Sequence, residues 1–285
     1  MSLLPRNQRT LQHAVSALGI GLFSGKEVSI RLCPAEANTG IIFQRVDLSH
    51  RPLLPARSQF VQGTPRCTII GDGKDFVQTV EHLLAALCAY QIDNVLIEIS
   101  GSEVPIFDGS SQHFVAMIEE AGIRELEVEK KVDRLKSPVF WSQGETHLIA
   151  LPSEKYRISY TLHYPHSTTI GTQFYTFVLD QEDFKNEIAP CRTFSIYEEI
   201  APMIEKGLVK GGSLDNAVII KKDAVVNPDG LRYPDEMVRH KVLDLIGDLS
   251  LVPSFVAHVI AVRSGHTSNN AFAKELFNHI KMENS

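Results

Sequence analysis

Residues 235–252, DEMVRHKVLDLIGDLSLV, form the longest helical pattern in the sequence, and most of its positions are apolar. Within this segment His240, Asp244 and Asp248 are spaced four residues apart. Side chains with this spacing project from nearly the same face of a helix. The remaining faces carry valine, leucine and isoleucine, so the helix must be largely buried. Because buried carboxylates are costly unless paired or bound to a metal, the segment predicts a core helix with a polar site on one face.

A second apolar helix, TVEHLLAALCAYQ at residues 79–91, also carries polar side chains, because Glu81 and His82 stand side by side at its start. A histidine and an aspartate four residues apart, like His240 and Asp244, can bind one cation together. His82 is then the natural third ligand of a catalytic zinc, which usually has three protein ligands and an open position for water. Glu81 beside it could remove a proton from that water. Metal hydrolases of the H-E-x-x-H type use a similar glutamate, although the spacing here differs.

Each of these residues also has an ordinary structural interpretation. A single histidine on an apolar helix, such as His82, is more often hydrogen-bonded in the core than bound to a metal. The spacing of His240 and Asp244 is common on solvated helices, and Glu81 would complement the positive end of its helix. Two buried helices with polar groups and no other obvious purpose favour the metal site. From the residues alone, a metal hydrolase is a hypothesis, and a non-catalytic α+β binding module is the alternative.

A third polar element is the segment VRSGHTSNN, residues 262–270, in which His266 follows a predicted strand and a glycine turn. Loops after strands commonly hold catalytic groups on a rigid frame. A protonated His266 could stabilise an oxyanion and protonate a leaving amine, with Asp248 orienting the ring. The alternative is that His266 merely precedes a helix cap. Thr193, in PCRTF, offers a hydroxyl donor but is structural by default.

The remaining patterns place strands before helices in each half of the sequence. The predicted strands occupy residues 27–35, 39–47, 93–100, 147–153, 156–164, 171–179 and 254–265. The predicted helices occupy residues 79–91, 110–122, 180–188, 235–252 and 268–282, the second of them opened by a serine cap. A charged segment at 127–135 separates the halves. We therefore predict an α+β fold of two domains, residues 1–127 and 135–285, each a β-sheet with two helices, and the arrangement looks duplicated.

Charge and composition exclude several other classes of protein. The net charge is -6, and lysine and arginine are scattered rather than gathered into a basic stripe, so we expect no nucleic-acid partner. The N-terminal residues lack the pattern of a signal peptide, and no apolar run reaches the length of about 18 residues that a transmembrane helix needs. The four cysteines share no CxxC spacing. These features predict a cytoplasmic protein without a stable membrane anchor.

Specific motifs occur in a fixed order along nearly the whole chain. They are QRTL at 8–11, PAEANTG at 34–40, TVEHLLAAL at 79–87, IDNVLIEI at 92–99, PIFDGS at 105–110, RTF at 192–194, GGSLDNA at 211–217, NPDGLRYPDEMVRHKVLDLIGDL at 227–249, and SGHTSNN at 264–270. Short motifs such as QRTL are weak individually, but TVEH, RHKVLDLIGD and SGH in this order and spacing are very specific. With them the sequence resembles the UDP-3-O-acyl-N-acetylglucosamine deacetylases, zinc amidases of lipid A and lipopolysaccharide biosynthesis in Gram-negative bacteria.

The resemblance implies a reaction and a set of residue roles. The enzyme would hydrolyse the N-acetyl group of UDP-3-O-acyl-N-acetylglucosamine, giving UDP-3-O-acyl-glucosamine and acetate. The implied zinc ligands are His82, His240 and Asp244, although the ligand chemistry also permits Fe2+. The implied catalytic residues are Glu81 as general base, His266 as the cation that steadies the oxyanion and serves the leaving amine, Asp248 as the group that orients His266, and Thr193 as a hydrogen-bond donor to the tetrahedral intermediate. The implied substrate-binding residues are Lys241, Phe194 and Arg263.

The resemblance also implies the fold and the way in which the acyl chain binds. Two α+β domains would be sandwiched with the site between them, each with a small insertion. The second insertion would be residues 195–226, whose apolar side chains would line a passage for the acyl chain; the alternative is a surface amphipathic helix. The family generally has histidine where this chain has Phe23, so no role of that histidine can be transferred. We expect a monomer, and a zinc amidohydrolase acting on another acylated amino sugar is the nearest alternative.

Overall fold

The computed structural model describes residues 6–283; residues 1–5 and 284–285, which the predicted domain bounds include, lie outside the described residues. In the first half the strands are β1 Asn7–Leu11, β2 Val15–Ile20, β3 Glu27–Pro34, β4 Ile41–Arg45, β5 Leu53–Pro55, β6 Val61–Gly63, β7 Ile69–Asp72, β8 Asp75–Gln78, β9 Val95–Ile99 and β10 Ile123–Glu129. The helices of this half are α1 Glu81–Ala89 and α2 Gln112–Ala121, with a short 3-10 turn at Ser58–Phe60.

In the second half the strands are β11 Asp133–Arg134, β12 Val139–Gln143, β13 Thr146–Leu151, β14 Arg157–Tyr164, β15 Gly171–Val178, β16 Phe194–Ile196, β17 Val218–Lys221, β18 Ala224–Val225, β19 Phe255–Val256 and β20 His258–Val262. The helices are α3 Gln181–Asp183, which continues into a π-helical turn at Phe184–Ile188, α4 Tyr197–Glu205, α5 Glu236–Leu249 and α6 His266–Glu283.

Two five-stranded sheets share one topology. Their strand orders are β2-β3-β9-β4-β5 and β12-β13-β20-β14-β15. In the first sheet only the β4–β9 pair is parallel, and in the second only the β14–β20 pair. The predicted α+β fold is confirmed, and the shared strand order supports the duplication that the sequence patterns suggest.

The helices join the two halves through a buried contact. Helix α1 packs against α5, while α5 also packs on β14 and β15 of the second sheet. Helix α2 lies against α1 and β2, and α6 lies against α5, β12 and β13. Nearly all side chains of α1 and α5 are buried, as their apolar patterns require. The two polar helix faces identified in the sequence therefore meet inside the molecule.

Each half also carries a small additional sheet. Strands β6, β7 and β8 form a three-stranded sheet in the first half, and β16, β17 and β18 form another in the second, next to α4. The second sheet and α4 lie where the sequence predicts the insertion at 195–226. Asp223 attaches this region to the β14–β15 turn, because its carboxylate accepts hydrogen bonds from Ser167, Thr168 and Thr169. The domain boundary at 127–135 stays a prediction, and β10 continues into that segment as far as Glu129.

Two local details refine the predictions. At the start of α2, Ser110 Oγ accepts from the Gln112 N–H at 3.2 Å, whereas the Ser111 hydroxyl does not cap the helix and donates to the carbonyl oxygen of His82 at 2.7 Å. Helix α6 begins at His266 rather than after it, since the Ser268 hydroxyl accepts from the Gly265 N–H and closes the preceding turn. His266 therefore stands in the first turn of a helix and not in a loop.

Candidate active site

The three predicted metal ligands converge where α1 meets α5. His82 comes from the first turn of α1, and His240 and Asp244 come from successive turns of α5. Their ligand atoms all lie within 4.8 Å of one another. Asp244 Oδ1 is 3.3 Å from His240 Nε2 and 3.7 Å from His82 Nε2. All three side chains are buried, so the donor atoms face each other away from bulk water.

The protonation of this cluster suits a cation. His240 Nδ1 donates to the carbonyl oxygen of Cys191 at 3.0 Å; because a carbonyl can only accept, the hydrogen is on Nδ1. Burial lowers the pKa of His240 to about 3, so the ring is neutral and its Nε2 lone pair faces the cluster. Asp244 Oδ1 is buried and has no hydrogen-bond partner among residues 6–283. An unpartnered buried carboxylate oxygen facing imidazole nitrogens fits a divalent metal such as zinc, and Fe2+ accepts the same ligand types.

Lys241 lies immediately beside the ligand cluster. Its Nζ is 2.6 Å from Asp244 Oδ2. Burial opposes the ionised form of Asp244, but the charge of Lys241 outweighs it and holds the pKa of this carboxyl well below its usual range. Asp244 is therefore an anion, with one oxygen paired to Lys241 and the other directed at the two histidines.

Glu81 stands next to the cluster with its carboxylate nearly inaccessible to solvent. Only 2% of the residue is exposed, and Oε2 accepts a hydrogen bond from the Thr68 N–H at 3.0 Å. Burial raises the pKa of Glu81, although the charge of His266 opposes the shift. A buried carboxylate with a raised pKa is suited to proton transfer near neutral pH.

His266 faces Glu81 from the start of α6. Its Nε2 lies 3.9 Å from Glu81 Oε1 and 3.8 Å from Asp244 Oδ2, and its Nδ1 lies 2.9 Å from Asp248 Oδ2. Burial lowers the pKa of His266, but the three carboxylates outweigh this effect and raise it to about 9. The ring is therefore a cation at neutral pH, and Asp248 fixes its orientation.

A cavity of about 670 Å³ opens over these groups. The predicted site residues that line it are Glu81, His82, Thr193, Phe194, His240, Lys241, Asp244 and His266. Asp248 lies behind His266 and does not line the cavity. Arg263 does not line it either: it borders a neighbouring groove of about 820 Å³, which it shares with Lys241, and its guanidinium pairs with Glu145 at 2.5 Å.

The far part of the cavity is apolar. Ile200, Met203 and Ile204 of α4, within the predicted insertion, line it. Ile196 and Leu208, two further apolar residues of the predicted insertion, do not line this cavity, and Leu208 is 51% exposed. Phe23, at the position where the family generally has histidine, also lines the cavity and is half-buried. The cavity therefore has a charged end at the metal ligands and an apolar end along α4.

Several contacts that hold the site residues in place could not be predicted from the sequence. The Thr68 hydroxyl and the Asn269 amide both donate to Asp248. The Cys191 carbonyl holds His240, and the Ser111 hydroxyl holds the backbone of His82. The asparagine lies within the SGHTSNN motif, but no role was predicted for it. The other contacts are backbone or hydroxyl groups brought together only by the tertiary structure.

A buried set of metal-binding side chains, with an acidic and a basic group facing each other beside it, is the arrangement of a metal-dependent hydrolase. The sequence model of the UDP-3-O-acyl N-acetylglycosamine deacetylases matches residues 8–278. The chain belongs to this deacetylase family.

Individual members of the family resemble the chain over almost its full length. The UDP-3-O-acyl-N-acetylglucosamine deacetylase of Chlamydia pneumoniae is 49% identical over 282 residues, covering 98% of this chain and 100% of the relative. The enzyme of the same name from Chlamydia trachomatis serovar L2 is 48% identical, covering 99% of this chain and 98% of the relative. That of Chlamydia felis is 47% identical, covering 98% and 100%. Separately, none of the helices within residues 6–283 is long and apolar enough to cross a membrane.

Proposed function

We propose that the protein hydrolyses the N-acetyl group of UDP-3-O-acyl-N-acetylglucosamine, releasing acetate and UDP-3-O-acyl-glucosamine for lipid A biosynthesis. Membership of the deacetylase family supports the reaction. The observation that carries the residue roles is the placement of Glu81 and His266, whose Oε1 and Nε2 atoms lie 3.9 Å apart beside the ligand cluster. At this distance a base can take a proton from the attacking water while an acid protonates the nitrogen of the same amide bond.

His82, His240 and Asp244 would hold the metal, which we propose is zinc. When bound, zinc would act as a Lewis acid on the acetamide carbonyl and lower the pKa of water. The neutral His240 ring, fixed by the Cys191 carbonyl, and the unpartnered Asp244 oxygen support this assignment. Fe2+ in the cell is compatible with the same ligands.

Glu81 accepts the proton of the attacking water. Its raised pKa makes it a better proton acceptor than an exposed glutamate, and the Thr68 N–H fixes the orientation of its carboxylate. As the carbonyl carbon becomes tetrahedral, negative charge develops on its oxygen. The Thr193 hydroxyl donates a hydrogen bond to that oxygen, and the positive charge of His266 stabilises it.

His266 then delivers its proton to the amide nitrogen. The C–N bond breaks, the amino sugar leaves as an amine, and acetate remains. Asp248 accepts from Nδ1, so the proton available for transfer is the one on Nε2, which faces the reaction. The raised pKa of His266 keeps this proton in place until the nitrogen becomes basic.

The charged diphosphate and the apolar acyl chain of the substrate would bind to different surfaces around the metal ligands. Lys241 and Arg263 share the neighbouring groove and would bind the diphosphate, because cationic donors are suited to phosphate oxygens. The acyl chain would run along the apolar end of the cavity, beside Phe194 and α4. We propose that domains 1–127 and 135–285 contribute the two walls. We also propose that the protein acts as a monomer in the cytoplasm.

Acetate release from UDP-3-O-acyl-N-acetylglucosamine by the purified protein tests this function. UDP-N-acetylglucosamine, which has the same acetamide but no acyl chain, is the matched control substrate. We expect a much higher kcat/KM for the acylated substrate, because its chain fills the apolar end of the cavity. Equal values would contradict the role of that end, and no release from either substrate would contradict the function.

A further inference from the structure

Thr68 contacts both carboxylates that serve proton transfer in the proposed mechanism. It lies just before β7, and its side chain is 0% exposed. Its backbone N–H donates to Glu81 Oε2 at 3.0 Å, and its hydroxyl donates to Asp248 Oδ1 at 2.5 Å. One carboxylate is the proposed base, and the other orients the proposed acid. A single residue therefore links the two halves of the machinery.

The neighbouring amide of Asn270 determines the direction of the hydroxyl hydrogen. Its Nδ2 donates to the His266 carbonyl at 2.9 Å and to Thr68 Oγ1 at 3.1 Å. Since the carbonyl can only accept, the atom that faces it is the NH2 group. The Thr68 oxygen must then accept the second hydrogen of this group. Its own hydrogen is left for Asp248.

Asp248 depends on this donor for its orientation. It is fully buried, and its Oδ2 receives hydrogen bonds from His266 Nδ1 and Asn269 Nδ2, both at 2.9 Å. Its Oδ1 receives the Thr68 hydroxyl. Without that hydroxyl, Oδ1 would be left unsatisfied in the interior, and the carboxylate would turn to find another donor. The His266 ring, bonded to the same carboxylate, would turn with it.

We infer that Thr68 is a positioning residue, which aligns Glu81 through its backbone N–H and His266 through its hydroxyl and Asp248. This role rests on the proposed function for its catalytic meaning. Thr68 touches none of the three metal ligands by hydrogen bond, so its loss should leave the metal bound. Removing a residue that orients the groups around a metal site typically lowers activity or metal affinity about 10–100-fold.

Thr68→Val tests the hydroxyl alone, because valine has nearly the same shape and keeps the backbone N–H on Glu81. We expect kcat to fall about 10–100-fold with KM nearly unchanged, and Thr68→Ser to restore most of kcat. Thr10→Val is the matched control, since Thr10 is equally buried and its Oγ1 accepts from the Ala35 N–H in another part of the fold. The control should change thermal stability without changing kcat. Wild-type kcat in Thr68→Val, or failure of serine to restore it, would overturn the role.

A double substitution and an NMR measurement distinguish positioning through Asp248 from an independent effect of Thr68 on the rate. In an Asp248→Ala background, Thr68→Val should cause no further loss of kcat; a multiplied loss would mean that Thr68 acts independently.

The downfield proton resonance of His266 Nδ1–H, measured without turnover, should shift in Thr68→Val but not in Thr10→Val. If the wild-type protein released no acetate and the resonance still shifted, the proposed function would fail and the positioning would stand. If the wild-type protein released acetate but Thr68→Val changed neither kcat nor the resonance, the positioning role alone would fail. Should Thr68→Val not fold, Asn270→Ala tests the same network with Thr68 intact, and an unchanged resonance and kcat there would overturn it.

Discussion

Gly247 on α5 lies directly against the carbonyl oxygen of Glu81 on α1: a Cβ atom placed on this glycine would be 2.1 Å from that oxygen. Glycine is needed here for close approach and not for its backbone angles, because the position is helical. The contact brings the first turn of α1, with Glu81 and His82, onto the face of α5 that carries Asp244. The spacing of the two helices therefore determines the geometry of the site.

Gly247→Ala should displace the first turn of α1 and weaken the site. We expect a loss of about 1–3 kcal/mol in the free energy of unfolding, the usual cost of overpacking, together with weaker zinc binding. Denaturant unfolding and zinc titration measure the two effects. Gly63→Ala is the control, since its added Cβ would have its nearest neighbour at 3.6 Å, an ordinary contact. Wild-type zinc affinity in Gly247→Ala would contradict the account of the helix contact.

Glu81→Gln should abolish proton abstraction while preserving the ligand cluster. We expect kcat to fall by about 10²–10⁴-fold, because a glutamine cannot accept the proton of water. The zinc content, measured on the same samples, should stay at the wild-type value, since His82, His240 and Asp244 are unchanged. Near-normal turnover would rule out Glu81 as the base, and loss of the metal would assign it a structural role instead.

The rate should depend on pH in a bell-shaped manner. Turnover requires Glu81 ionised and His266 protonated, so it rises through the raised pKa of Glu81 and falls as the pH passes the His266 pKa of about 9. Asp248→Asn removes one of the charges that raise the pKa of His266. The falling limb should then move to lower pH, in addition to any fall in kcat. An alkaline limb at its wild-type position in this variant would contradict the assignment of that limb to His266.

Asp93 should make stability depend on pH far from the site. Burial opposes its ionisation, but Arg6 at 2.6 Å and Lys130 at 2.9 Å outweigh it and lower its pKa. Its folded pKa lies below the unfolded value of about 3.9, so its stabilisation is present above that value and is lost as the pH falls through the folded pKa. Asp93→Asn should cost about 2 kcal/mol at neutral pH and progressively less as the pH falls below about 4. Urea unfolding across pH measures this, and a constant difference would contradict it.

Met203→Trp should shorten the space for the acyl chain. Met203 lines the apolar end of the cavity, and an indole there would occupy part of it. We expect kcat/KM to fall more steeply for substrates with long acyl chains than for those with short ones. Leu208→Trp is the matched control on the same insertion, because Leu208 is 51% exposed and lies outside the cavity. An unchanged chain-length preference in Met203→Trp would favour the surface-helix interpretation of the insertion.

The sequence predicted what depends on local periodicity. Residues at i and i+4, such as His240 and Asp244, lie on the same face of any α-helix, so the structure brings these two side chains together as expected. His82 and Glu81 were recognised because polar side chains at the start of an apolar helix need partners. The topology shared by the two large sheets was only suggested, since strand order depends on pairings between residues far apart in the sequence.

What the sequence could not indicate depends on tertiary contacts of backbone and hydroxyl groups. Thr68 stands in a segment with no motif of its own, and its importance comes from the carboxylates of two other elements. The Cys191 carbonyl that fixes His240 belongs to the backbone and leaves no mark in residue type. Ser111 has the identity of a helix cap, but its hydroxyl is used by His82. Such contacts cannot be predicted from side-chain identity alone.

The most direct test of the central claim is to strip the protein of metal and measure acetate release from UDP-3-O-acyl-N-acetylglucosamine while zinc is added back. His82, His240 and Asp244 form one cluster, so activity should rise in proportion to bound zinc and level off at one ion per chain. Asp244→Ala should bind zinc weakly and stay inactive through the same titration. A stripped protein that binds no zinc, or one that turns over equally well without it, would contradict the account.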